Sequence, residues 1–337
     1  MKIKDIPELS THEVALISIG FGGDNGLEEL VSAARVAAPE LANYLGINIT
    51  NLSSIINIAT ASASSVSMKS VNIINNAVYS LGFAIDQATF PVAAPQASLS
   101  TAAPPPTVNL IPQMPAIRNQ GSRGTCVAHA ALAAYEHSLY TIGAGQDFSE
   151  QFLYWNCKRH DGIPNDEGTW LQIAYPMLYR EGCCLETDWP YVPIPIAGNE
   201  GQNPPPTGAQ LAALAFRIPF VKQLSPTYIP DLKAELAAGH CVSFSIPVFN
   251  SWLGSQWVAD TGDITMPIPN EIRVGGHAMC LVGYVDMPNS PELGFGRFIL
   301  RNSWGHAWGI NSPYGQGYGT IPFAYLAKLG AEAYSIT

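Results

Sequence analysis

Three stretches far apart in the chain carry residues that could do chemistry together. The loop Gln120-Gly121-Ser122-Arg123-Gly124-Thr125-Cys126 runs straight into an Ala-rich apolar segment, so Cys126 falls at or near a helix N-terminus. There the backbone dipoles and unpaired N–H groups favour a thiolate, the nucleophilic form of the side chain. His277 sits in Gly275-Gly276-His277-Ala278, at the mouth of an apolar run to Tyr284 that reads as a buried strand. Asn302 follows a strand-like run over 297–300 and opens Asn302-Ser303-Trp304-Gly305-His306-Ala307-Trp308-Gly309.

A thiol near pH 7 is mostly protonated, so an adjacent imidazole must take its proton before the sulfur can attack a carbonyl. His277 fits that role and would later protonate the leaving amine. Asn302 would accept from the other ring nitrogen and hold the tautomer. The oxyanion formed by attack needs donors in place beforehand. The Gln120 amide and the Cys126 N–H would supply them, at on the order of 3–4 kcal/mol per donor. Each residue has an ordinary reading when taken alone. Free cysteines are among the most buried residue types, as expected for Cys241 and Cys280, a lone histidine usually packs in a core, and a lone asparagine usually makes a turn. Cys, His and Asn together, in that order, invert those readings. His129, three residues after Cys126, is assigned to core packing or a supporting polar contact.

The motifs Gln-Gly-x-x-Gly-x-Cys-x-Ala, Gly-Gly-His-Ala with Val282-Gly283-Tyr284, and Asn-Ser-Trp-Gly-x-x-Trp-Gly resemble those of the papain-like cysteine peptidases. The resemblance implies an α+β, two-lobed fold. A helical lobe would carry Cys126, and an antiparallel, barrel-like sheet would carry His277 and Asn302 across a cleft. It implies a cysteine endopeptidase acting on peptide or protein substrates, with Cys126, His277, Asn302 and Gln120 as its catalytic set and no cofactor or metal. It also implies substrate contacts from Gly168 and Glu167 in a strip that pairs with substrate backbone, from Gly276, and from Trp304, which would cover the Asn–His hydrogen bond. The sequence departs from the family at Val127, usually Trp in animal and plant relatives, and at Glu167, usually Gly. It departs again at Arg123, where many secreted relatives place a disulfide cysteine; that absence suggests a bacterial-type member.

The supporting elements are legible in outline. Ser149 is placed to cap a helix opening Glu150-Gln151. A helix is expected over 230–238, with a strand over 241–248 packed under the histidine-bearing one. Trp252, Trp257 and Tyr284 are assigned to the core. At 337 residues, length alone suggests two domains. Charged residues make up only 12% of the chain, against about 25% in typical domains. The net charge of −10 argues against nucleic acid or an anionic membrane as partner. No apolar run reaches the ~18–20 residues of a spanning helix. Six cysteines occur, Cys126, Cys157, Cys183, Cys184, Cys241 and Cys280, without a Cys-x-x-Cys pair. Vicinal Cys183 and Cys184 read as thiols, with a bridge from Cys157 to either left open.

Upstream, residues 1–23 lack a secretory pattern and resemble, imperfectly, the double-glycine leaders of a non-Sec export route; the alternative is an ordinary start to the next unit. Residues 24–90 show helical spacing, including Val71, Ile74, Val78 and Leu81. Between residues 41 and 107 only Lys69 and Asp86 are charged, so this surface needs cover. It reads as a helical prosegment folded on the enzyme as an intramolecular inhibitor. Residues 91–107 form a Pro/Ala/Ser linker that either lies through the cleft or is a passive tether. The peptidase domain is placed at 108–337. Other readings on the same scaffold are an acyl transferase or isopeptidase, or a self-inhibited binding or regulatory protein.

Overall fold

The computed structural model describes residues 71–74, 77–82, 104–196 and 198–336. Two short strands, β1 (Val71–Ile74) and β2 (Ala77–Ser80), pair antiparallel with Ile74 opposite Ala77. This corrects the helical spacing read at Val71, Ile74, Val78 and Leu81. A three- and four-residue apolar spacing in so short a run fits a strand as readily as a helix, and Val71, Ile73, Ile74 and Val78 are β-branched. Asn75-Asn76 between the strands is turn chemistry in the sequence. The remainder of the proposed prosegment, the leader-like start and residues 91–103 lie outside the described residues.

The main body begins with β3 (Thr107–Asn109). A central helix follows, α1 (Cys126–Tyr140), and then α2 (Glu150–Lys158) and α3 (Leu171–Arg180). Ser149 caps α2 as expected, accepting the Phe152 N–H at 3.0 Å. These helices and the short α4 (Ala209–Ala213) enclose one buried cluster that includes Leu132, Tyr135, Phe148, Phe152, Tyr175 and Leu178. Alanine is the commonest residue of α1, and every residue from Cys126 to His137 is buried. Small side chains let this helix be surrounded by the other elements and still pack closely.

The second lobe is sheet. β4 (Lys222–Gln223), α5 (Ile229–Ala237), β5 (Val242–Phe249), α6 (Asn250–Leu253) and α7 (Gln256–Thr261) lead to the long β6 (Arg273–Asp286). β7 (Gly296–Arg301), β8 (Tyr318–Pro322), α8 (Phe323–Leu329) and β9 (Glu332–Ser335) complete it. The strand order is β4-β9-β5-β6-β7-β8, with β3 also on β6 and every pairing antiparallel. β6 serves two partners along its length. Its first half pairs with β5, and its second with β3 and, across a bulge at Leu281/Gly283, with β7. Gly283 permits this, because a Cβ there would lie 2.2 Å from the Val108 carbonyl oxygen. The expected papain-like α+β architecture of helical lobe and antiparallel sheet is the one observed.

Residues 104–107 run along the edge of β6, where Pro105 and Pro106 carbonyls accept from the Tyr284 hydroxyl and the Asp286 N–H. That end of the linker is therefore outside the cleft. Trp252 and Tyr284 are core residues as expected, but Trp257 is 41% exposed. On the short helix α7 the inward face is taken by Val258 and Ala259, which turns Trp257 to solvent.

One carboxylate ties the lobes together. Glu332, on β9 of the sheet lobe, accepts the N–H groups of Leu171 (3.0 Å) and Gln172 (2.9 Å) at the start of α3 and the Ser245 hydroxyl (3.2 Å). Burial nevertheless raises its pKa to about 7. Glu332→Ala leaves the buried Leu171 N–H and the half-buried Gln172 N–H without this acceptor, so it should destabilise the fold by about 1–3 kcal/mol, read as a lowered denaturation midpoint. An unchanged midpoint would show that the carboxylate does not join the lobes.

Candidate active site

Cys126 is the first residue of α1, and its sulfur accepts the Ala278 N–H at 3.3 Å. This contact spans the interlobe groove, because Ala278 lies on β6 directly after His277. The β5–β6 register pairs His277 with Ile246 and Ala278 with Ser245, which fixes the ring at the groove. His277 Nε2 lies 2.8 Å from Asn302 Oδ1. That oxygen also accepts the Ser303 N–H at 2.8 Å, so the Asn302 amide is oriented with its acceptor toward the ring. Nε2 then carries the proton. Nδ1 keeps its lone pair, and it is buried with no hydrogen-bond partner among the described residues. The Trp304 ring stacks on His277 at 4.6 Å between centroids and 28° between planes, and Trp252 approaches edge-on at 5.8 Å. Trp252 joins the site although its sequence context marked only a core residue.

Gln120 is fully buried and its amide points into the cleft. Its Nε2 donates to the Ser80 carbonyl at 3.1 Å and to the Arg123 carbonyl at 2.8 Å, and its Oε1 accepts from the Ser303 hydroxyl. Ser80 at the end of β2, with Leu81 and Gly82 after it, occupies the groove. The Ser80 carbonyl also accepts from Trp304 Nε1 at 2.9 Å. Its hydroxyl lies 2.9 Å from the Gly121 carbonyl and 2.7 Å from that of Arg123. The Gly82 N–H faces the Cys126 sulfur, and the Gly82 carbonyl accepts the Thr169 N–H at 3.0 Å. Only glycine fits at 82, since a Cβ there would sit 2.1 Å from the Gly124 backbone.

Where the substrate strip is expected, the backbone is turned inward. Gly168, at φ +88°, directs its N–H to the Tyr154 hydroxyl (3.1 Å) and its carbonyl to Lys158 Nζ (2.8 Å), both inside the helical lobe. The backbone group that reaches the cleft occupant is the Thr169 N–H. Glu167 flanks this point, its Cβ lying 3.2 Å from where a Gly124 Cβ would be. Gly276 is buried in β6 opposite Pro247. His129 turns away from the sulfur: its Nδ1 lies 3.0 Å from the Thr125 carbonyl and its Nε2 3.9 Å from Glu150. All six cysteines are free and buried. Among the described residues no group of three or more His, Cys, Asp or Glu side chains could hold a metal ion, and no helix is long and apolar enough to cross a membrane.

The sequence model of the family described as "Papain family cysteine protease" matches residues 109–320. The chain belongs to the papain family of cysteine proteases. It is 30% identical over 226 residues to an uncharacterized peptidase C1-like protein of Acanthamoeba polyphaga mimivirus, covering 64% of this chain and 67% of that one. It is 28% identical over 197 residues to cysteine proteinase 1 of Entamoeba histolytica, covering 57% of this chain and 56% of that one, so it spans little more than half that relative's length. Among solved structures it is similar to xylellain, a cysteine protease from Xylella fastidiosa. The TM-score is 0.65 and the identity 27%, over 76% of this chain and 96% of that one.

In this papain-family site the thiol is not activated in the way its helix position alone suggests. Burial pushes Cys126 up to about 12, against the opposing N–H groups of Ala278, Gly82, Val127 and Cys126 itself. Burial also lowers His277 to about 4, partly offset by Asn302. A helix N-terminus is worth about 0.3–1 kcal/mol, less than one pH unit, whereas full burial of a charge moves a pKa by up to about 3–5. Burial wins, and the covered pair rests neutral. Because the raised pKa leaves less thiolate at pH 7 than an ordinary cysteine has, alkylation of Cys126 by iodoacetamide should be slow in the intact chain and speed up as the pH rises. Fast labelling at neutral pH would contradict the neutral resting pair.

Proposed function

We propose that the protein is a cysteine endopeptidase made in a self-blocked form, with Cys126, His277, Asn302 and Gln120 as its working set. The reading rests on one observation above all: the Cys126 sulfur meets the β6 backbone beside a His277 ring already aligned by Asn302.

In the unblocked enzyme the sulfhydryl proton passes to the free Nδ1 of His277 and the sulfur attacks the substrate carbonyl. The carbonyl electrons move onto oxygen. The Gln120 amide, which donates to the Ser80 carbonyl in the blocked form, and the Cys126 N–H stabilise that oxyanion. Collapse of the intermediate breaks the C–N bond, the amine leaves with the proton from His277, and a thioester remains. Water then attacks the thioester, with His277 taking its proton and returning one to the sulfur. Asn302 holds the ring tautomer, and stacked Trp304 shields that hydrogen bond.

What fills the groove supports the self-blocked reading. The Ser80 carbonyl engages Gln120, while Gly82, two residues later, engages the strip at Thr169. A substrate whose acyl side lies on the strip runs the other way, with residues before the scissile carbonyl at Thr169. The segment therefore occupies the groove with reversed polarity, and does not offer its carbonyls to the sulfur in the sense a substrate would.

Two outcomes are expected. Cys126→Ala should abolish peptide hydrolysis and labelling by an epoxide inhibitor; residual turnover would place the nucleophile elsewhere. In the full chain, Gly82→Leu should expel the segment and raise peptidase activity at least about tenfold. Equal activity in the two chains would show that residues 80–82 do not restrain the enzyme.

A further inference from the structure

Helix α2 carries a buried polar stripe that peptide-bond chemistry does not itself require. Gln151, Tyr154 and Lys158 recur at three- and four-residue steps, share one face, and are all buried. A lysine is almost never fully buried without a partner, and Lys158 pairs with Asp161 at 2.8 Å. At one end of the stripe, Gln151 Oε1 accepts from Arg123 at 2.7 Å. Arg123 also donates to the Val192 carbonyl (2.9 Å) and the Glu200 carbonyl (2.7 Å), and its guanidinium faces the rings of Tyr154 and Tyr191 at 5.2 and 5.3 Å. At the other end, Tyr154 and Lys158 hold the N–H and carbonyl of Gly168. The stripe thus touches both walls of the groove. Arg123 belongs to the loop whose Gln120 amide it receives on its own carbonyl, and Gly168 precedes the Thr169 N–H that grips Gly82.

We propose that the Gln151–Tyr154–Lys158 stripe is a positioning device that fixes the oxyanion loop and the substrate strip to one another. By holding both backbone groups of Gly168 inward, it leaves the Thr169 N–H to read the substrate backbone. None of these side chains reaches the reacting atoms; each acts through a backbone segment. The Arg123 end governs where the Gln120 amide stands, which matters when the oxyanion forms, so it acts on kcat. The Lys158 end governs the strip, which grips ground state and transition state alike, so it acts on KM. This rests on the peptidase reading above.

The test is steady-state kinetics of the full chain carrying Gly82→Leu, with active sites counted by an epoxide inhibitor. Lys158→Met and Tyr154→Phe should raise KM about fivefold or more while kcat stays within about twofold, the size expected for one lost buried hydrogen bond. Arg123→Lys, which keeps the charge and loses the fork, should lower kcat about tenfold with little change in KM. If Lys158→Met fails to fold, Tyr154→Phe, which deletes a single hydroxyl, carries the KM arm. Variants that lose only active-site titre and thermal stability, with kcat and KM per site unchanged or moving together, would overturn the proposal and leave a packing role. A Gly82→Leu chain that titrates with no active sites would instead overturn the peptidase reading, a result distinct from equal kinetics in parent and variants.

Discussion

The structure depends on a register. β5 and β6 pair so that His277 lies opposite Ile246 and Ala278 opposite Ser245, and this alone brings one ring and one backbone N–H to the mouth of the groove where α1 begins. A slip of one residue would send the imidazole to the other face of the sheet. The register is held on both sides, by β5 along the first half of β6 and by β7 along the second, and β7 ends at Arg301, immediately before Asn302. The ring and the amide that orients it are thus placed by neighbouring strands of one sheet. The sulfur is placed by a helix of the other lobe, and the carboxylate of Glu332 ties that lobe's helix α3 back to the sheet.

Against this frame the groove is governed by what covers it. Ser80, Leu81 and Gly82 take up the Gln120 amide, the Thr169 N–H and the space over the sulfur, the groups that the proposed function assigns to substrate. The cover also sets the charge state. With water excluded, thiolate and imidazolium are each costly, so the buried pair stays neutral although the sulfur stands at a helix N-terminus and receives several N–H groups. On the proposed reading, access and nucleophile activation change together with the arrival or departure of this segment.

Much of the candidate site was legible in the sequence because the proposed chemistry demands particular residue types. Cys126, His277, Asn302 and Gln120 could be picked out from their motifs, and Ser149 from its place before Glu150-Gln151. What could not be read depended on neighbours distant in sequence. The strand pair at 71–80 has an apolar spacing that fits helix and strand equally, and its end at Ser80 is buried in a groove that exists only once the lobes meet. Gly168 was recognisable as a glycine beside the substrate path, yet its inward turn is set by Tyr154 and Lys158 on α2. Trp257 lost its expected core place because α7 is too short to bury more than one face. Arg123 was visible as a departure from the family pattern, but its partners at 151, 192 and 200 come from three separate segments.

The central claim is that Cys126 and His277 act as one proton-sharing pair once the cover is gone. It is tested most directly by following the His277 ring by NMR through a pH titration of the Gly82→Leu chain, before and after Cys126 is capped with methyl methanethiosulfonate. A thiolate neighbour favours the imidazolium, so capping should lower the His277 pKa by more than about one pH unit. An identical titration of His277 with the thiol free and with it capped would show that the two groups do not share a proton and would contradict the account.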